Sequence, residues 1–164
     1  MKYLKDLLIT DRFLLKGHVD TGNQRLSNFL NDAGRHFIEM NEAALLIHEG
    51  GERISVPRML LRTDEILIAH EIGDAGDEGM KALAERQKDD LDVANRFSRL
   101  PSLQLSGKVR KRAMNAGALY QNHFVVVVEP QITGLPLREA SEYALMETVY
   151  YVIVNTHRIA FVTR

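Results

Sequence analysis

The sequence predicts a mainly β protein, built as two copies of one small strand-rich unit joined by a long linker helix. Three observations carry this. Residues 1–71 and 101–164 are rich in short apolar runs bounded by turn residues, the pattern of strands. Residues 72–100 have a different texture, with a glycine-rich opening and apolar residues at helical spacing. The two flanking blocks also share short matching segments, the mark of an internal repeat.

In order along the chain, Tyr3, Leu4, Leu7 and Leu8 recur at helical spacing, so a short helix is expected over residues 1–10. Asp6 and Asp11 interrupt the apolar run and no small-residue cleavage site follows, which argues against a secretory signal. Phe13 to Val19 reads as a strand, and Arg25 to Asn31 suits one or two helical turns. Phe37 to His48, Ile54 to Leu61 and Ile66 to His70 read as strands, with Gly50-Gly51 as a turn. Gly73 to Gly79 is a turn-rich linker, and a helix is expected over residues 78–99. Asp77 can cap that helix, Met80, Leu83, Ala84, Leu91, Ala94 and Phe97 make its stripe, and Pro101 ends it. Lys81–Glu85 and Asp92–Arg96 would be i,i+4 pairs on it. Leu103 to Arg112, Phe124 to Val128, Leu145 to Val154 and Arg158 to Val162 complete the strands, with a short helix over 114–121. The domains expected are therefore 1–71, 72–100 and 101–164.

The repeat is read from particular residues. Leu15-Lys16-Gly17-His18-Val19 matches Leu105-Ser106-Gly107-Lys108-Val109. Phe37 and Phe124 each open an apolar strand, and Leu60 to Ile68 lies against Ile153 to Phe161.

Each unit resembles the Sm-like or SH3-like small β-barrel. Glu39-Met40-Asn41 is similar to the Asp-x-Met-Asn of the first Sm signature, and Leu61 to Ile66 to the Arg-Gly-(Asp/Asn)-x-Ile of the second. Glu39 directly precedes Met40, Thr63 stands where the family has a loop glycine, and the second unit keeps neither signature. The Arg25 to Asn31 segment before a Phe-led strand is also similar to a bacterial family of small domains of unknown function. The resemblance implies a fold and carries over no catalytic residue.

Composition excludes several classes. Lys plus Arg number 21 against 22 Asp plus Glu, a net charge of −1, which is no dedicated nucleic-acid coat protein. Cysteine is absent, so disulfides, thiol catalysis and cysteine-ligated metals are excluded. The longest apolar run, Val149 to Val154, falls far short of the ~20 residues of a membrane helix. A cytoplasmic location and no membrane partner are expected.

Chemistry is sparse. The six histidines (His18, His36, His48, His70, His123 and His157) show no paired-ligand spacing, so no metal or other cofactor is expected. Asp74, Asp77 and Glu78 lack the twelve-residue calcium-loop pattern. No phosphate-binding glycine loop or nucleophile elbow occurs. The expected function is a non-enzymatic binding or scaffolding module that associates with itself or with another protein. Val149, Tyr150, Tyr151 and Val152 are the expected oligomer interface, because an unbroken apolar strand must be covered on both faces. The alternative is a nucleic-acid binder using the basic face of Lys108, Arg110, Lys111 and Arg112, with Arg62 and Asn41 from the first unit.

Overall fold

A computed structural model describes residues 5–22, 24–32, 34–72, 90–110, 123–135 and 150–163. The first half contains β1 (Lys5–Ile9), β2 (Phe13–Val19), the short helix α1 (Leu26–Leu30), β3 (Phe37–Ile47), β4 (Arg53–Arg62), a 3-10 turn (Thr63–Glu65) and β5 (Ile68–Ile72). The second contains β6 (Asp90–Phe97), β7 (Gln104–Arg110), β8 (Phe124–Thr133), β9 (Tyr151–Asn155), a second 3-10 turn (Thr156–Arg158) and β10 (Ile159–Thr163).

These strands form one ten-stranded antiparallel sheet in the order β10-β6-β7-β8-β9-β5-β1-β2-β3-β4. The expectation of two separate barrels joined by a long helix is therefore corrected. The halves are continuous through a β5–β9 pairing, Ile68 opposite Val154 and Ala69 opposite Ile153. Residues 90–97, expected as the end of the linker helix, are strand β6. Leu91, Val93, Asn95 and Phe97 point to one side there, with Val93, Asn95 and Phe97 buried. The expected N-terminal helix is corrected too, since residues 5–9 are strand β1. Asp6, Leu7, Leu8 and Ile9 are all buried, so both faces of β1 are covered and no strand-like alternation shows. Residues 73–89 and the expected 114–121 helix lie outside the described residues.

Within each half the strand order is the same: fifth, first, second, third, fourth. The register matches as well. Phe37↔Arg62, Ile38↔Leu61 and Glu39↔Leu60 in β3–β4 correspond to Phe124↔Asn155, Val125↔Val154 and Val126↔Ile153 in β8–β9. Ile9↔Ile68 and Leu8↔Ala69 correspond to Arg96↔Phe161 and Asn95↔Val162. Both third strands carry a bulge, Glu42-Ala43 opposite Gly17 and Glu129-Pro130 opposite Gly107. Glycine is required opposite each. A Cβ on Gly17 would sit 2.9 Å from Met40 Cγ and 3.0 Å from the Asn41 carbonyl oxygen. One on Gly107 would overlap Val127 Cγ1 and sit 2.9 Å from the Val128 oxygen. The first residue of each bulge is a glutamate in the left-handed region, Glu42 and Glu129, both at φ 50°.

The core has two parts on opposite faces of the sheet. One is drawn mainly from the second half and includes Phe97, Leu105, Val127 and Val152. The other is drawn mainly from the first and includes Leu15, Leu26, Phe29 and Met40. The central strands serve both. Ile68 joins the second-half core, while Ile153 joins the first-half core. All five residues of β9 are buried as a result.

Candidate functional site

The seam between the halves is the most chemically dense part of the described structure. Beyond the two β5–β9 pairs, the Asn155 amide N–H donates to the Leu67 carbonyl at 3.0 Å. The Asn31 side chain, at the end of α1, donates to the Phe124 carbonyl at 2.9 Å and accepts from the Phe124 amide at 2.7 Å, in the manner of a strand neighbour. His70 Nδ1 lies 2.9 Å from the Tyr151 carbonyl, and the Tyr151 hydroxyl donates to Glu71 Oε1 at 3.4 Å.

At one end of this seam the two 3-10 turns meet. Asp64 and His157 are the middle residues of the first and second turns, and His123 immediately precedes β8. Each backbone is held. The His123 carbonyl accepts from the Thr156 amide at 2.8 Å and from its hydroxyl at 3.0 Å. The His157 amide donates to Asn155 Oδ1 at 3.0 Å, and the Asp64 carbonyl accepts from Arg158 Nε at 2.6 Å. The buried Asn155 amide group also donates to the Ile66 carbonyl at 2.8 Å.

The three side chains converge. The His123 and His157 rings stack at 4.0 Å between centroids with a 21° interplanar angle. His123 Nε2 lies 3.1 Å from Asp64 Oδ1, but out of line for a hydrogen bond, so this buried nitrogen has a charged neighbour and no hydrogen-bond partner. Burial lowers the His123 pKa below the ordinary histidine value, His157 pushes the same way, and Asp64 offsets this only in part. One ligand atom from each of Asp64, His123 and His157 falls within 4.8 Å of the others. Arg158 stands nearby, 3.9 Å from Glu65, whose carboxylate also accepts from Arg99 at 3.3 Å.

A second functional feature is the pair of sheet edges. β4 and β10 each have one strand neighbour within the described chain. β4 is exposed along most of its length. Leu60 on β4 is 67% exposed and Phe161 on β10 is 56% exposed, among the few large apolar side chains left open.

The sequence-predicted residues fall in several places. Tyr151 and Val152 are buried in β9, flanked on both sides by strands of their own chain, and Tyr150 packs against the first-half core. Val149 lies outside the described residues. Within that apolar run, Tyr151 to Val154 are covered by β5, β8 and the two cores. Lys108 pairs with Glu129 at 3.3 Å. Arg110 ends β7, and Lys111 and Arg112 lie outside the described residues. Arg62 lies over the Phe37 ring at 5.3 Å, and Asn41 sits in β3 opposite Arg58. The structure thus leaves Asn41 six strands and Arg62 seven strands away from Lys108 in the sheet order. Sequence reasoning missed the Asp64–His123–His157 group because its members are far apart in the chain. The one available signal was the alignment of the two turn segments, which sets His157 against Asp64.

No helix among the described residues is long and apolar enough to cross a membrane. Comparison with known protein families, with curated proteins and with solved structures finds no match.

Proposed function

We propose that this chain is a non-enzymatic, self-associating module whose copies join edge to edge, β4 of one copy against β10 of the next. The observation that carries this is the seam inside the chain. There the fifth strand of one half (β5) pairs with the fourth strand of the other (β9). The two strands left at the sheet edges are the remaining fourth and fifth strands, β4 and β10. By the register of the halves, Phe161 is the counterpart of Ile68, Val162 of Ala69, Leu61 of Val154 and Leu60 of Ile153. A seam of the same kind between copies sets Phe161 opposite Leu61 and Leu60 opposite Val162.

The exposed side chains fit that register. Opposed residues share a sheet face. Within the chain, Ile68 enters the core of the other half beside Val154, and Ile153 does so beside Ala69. The counterparts Phe161 and Leu60 are apolar and exposed. Between copies Phe161 would extend the core beside Leu61, and Leu60 would extend that beside Val162. The contact is short and clear of Pro57, which has no N–H to give a ladder. Exposed arginines along the rest of β4 (Arg53, Arg58, Arg62) oppose indiscriminate edge pairing. The joint is head-to-tail, so repetition yields a ring or an open filament.

Because the chain has no cysteine, the register can be tested directly. Leu60→Cys with Val162→Cys in one chain should form a disulfide between copies under mild oxidation, as directly opposed residues lie at bonding range. Mass measurement should show a defined oligomer, and Phe161→Lys should dissociate it. A monomer at every concentration with no cross-chain disulfide sinks the reading. So does an assembly that survives Phe161→Lys, or one held together by nuclease-sensitive nucleic acid.

A further inference from the structure

We propose that Asp64, His123 and His157 form a binding site for a divalent transition-metal ion, with zinc the best match. The inference is independent of edge-to-edge assembly, since all three residues belong to one chain.

The donor set is two imidazoles and one carboxylate, which suits zinc, cobalt, nickel and copper and not the harder oxygen-loving ions. The spacing is close to what coordination needs. Metal–donor bonds of about 2.1 Å in a tetrahedron set donors roughly 3.4 Å apart. His123 Nε2 and Asp64 Oδ1 are already 3.1 Å apart, and all three donors fall within 4.8 Å. Closing the group requires His157 to rotate out of its stack on His123, since stacked rings do not aim their in-plane lone pairs at one point, and that side chain is exposed. The backbones are already held, the His123 carbonyl and the His157 amide by bonds within the second half and the Asp64 carbonyl by Arg158 across the seam. Such fixed support keeps a ligand set in place before the ion arrives.

Two further observations point to a ligand. The buried His123 Nε2 has no hydrogen-bond partner, an arrangement that is costly unless something else uses its lone pair. The imidazole of His157, stacked on His123 at 4.0 Å between centroids, also places a second nitrogen donor beside the same carboxylate. Arg158 is the adverse charge, and it is offset by Glu65 and engaged with the Asp64 carbonyl. Asp64 and His123 are half-buried and His157 is exposed, leaving a side open for water or a fourth ligand.

The site joins one turn of the first half to a turn and a strand of the second. Neither half holds it alone. Bound metal would therefore tie the seam and raise stability by mass action.

The untagged full chain should be titrated with Zn²⁺, and with Co²⁺ as a spectroscopic probe. One equivalent should bind, Co²⁺ should give the strong visible absorption of four-coordinate nitrogen and oxygen ligation, and the thermal midpoint should rise. His157→Ala keeps a surface position and should weaken binding at least roughly tenfold with the unliganded midpoint unchanged. Asp64→Asn should weaken it similarly, and His36→Ala, outside the group, should leave it intact. No uptake by the folded chain would overturn the proposal. Uptake that His157→Ala and Asp64→Asn leave unchanged would do so equally.

Discussion

The two halves share strand order, bulge position and turn geometry, yet they fill equivalent places with different chemistry. Asp6 faces the bulge glycine Gly17, and its counterpart Val93 faces Gly107. Val93 is an ordinary core residue. Asp6 is a buried carboxyl that accepts a hydrogen bond from the Val19 amide at 3.0 Å, beside Glu71, which holds the amide of Leu26 at the start of α1. Asn155 is buried and ties the seam, while its counterpart Arg62 is exposed on an edge. The lesson is that the backbone plan is set by a few glycine and turn positions. The side chains then decide which copy of each strand is buried at a seam and which is left open.

The largest expected effect that separates the halves is a pH dependence. Burial raises the Asp6 pKa from 3.8 to about 7, and the negative Glu71 adds to this against the Val19 hydrogen bond. The folded state therefore holds a proton that the unfolded chain has released above pH ~4. Stability contributed by the protonated group is complete below that pH, falls as pH rises toward 7, and levels off above. The full change is on the order of 4 kcal/mol. Asp6→Asn should remove this slope in denaturant titrations from pH 4 to 8 and leave the variant the more stable at pH 8. Parallel curves for the two proteins would rule the assignment out.

The bulge glycines come next. Gly107→Ala forces a methyl against the β-branched Val127, and Gly17→Ala against Cγ of the unbranched Met40 side chain. The first should cost about 3 kcal/mol and the second about 1–2 kcal/mol, read by chemical denaturation. Equal costs would mean that the carbonyl contacts, nearly the same at both sites, set the penalty.

Asn155→Ala should cost roughly 2 kcal/mol, because the Ile66 carbonyl and the His157 amide lose their partner inside the seam. Arg62→Ala, its counterpart, should cost about 0.5 kcal/mol, the scale of an exposed cation–ring contact. A large loss at Arg62 in the assembled protein, absent in the Phe161→Lys variant, would place Arg62 in a seam between copies.

The parts of the fold that depend on neighbours within a few residues were legible in the chain. The strand limits at Phe13–Val19, the Phe-led strands at 37 and 124, the turns of α1, and the matching Gly17 and Gly107 segments all follow local rules of alternation, turn chemistry and close approach. Residues 5–9 and 90–97 did not yield to those rules. In β1 both faces are buried, so Leu7 and Leu8 side by side read as part of a helical stripe. In β6 the Asp92–Arg96 spacing looks like a helical pair, although the same four-residue step puts both on one side of a strand. Only the pairing of each fifth strand back to its first, and of β5 to β9, shows these segments to be strands. The same long-range pairing made one sheet of the two halves, buried Tyr151 and Val152, opened β4 and β10, and brought Asp64 beside His123 and His157. Local sequence sets which way a residue points along its own strand. What lies across from it is set by the burial of apolar surface from distant parts of the chain, and that appears only when the whole sheet is assembled.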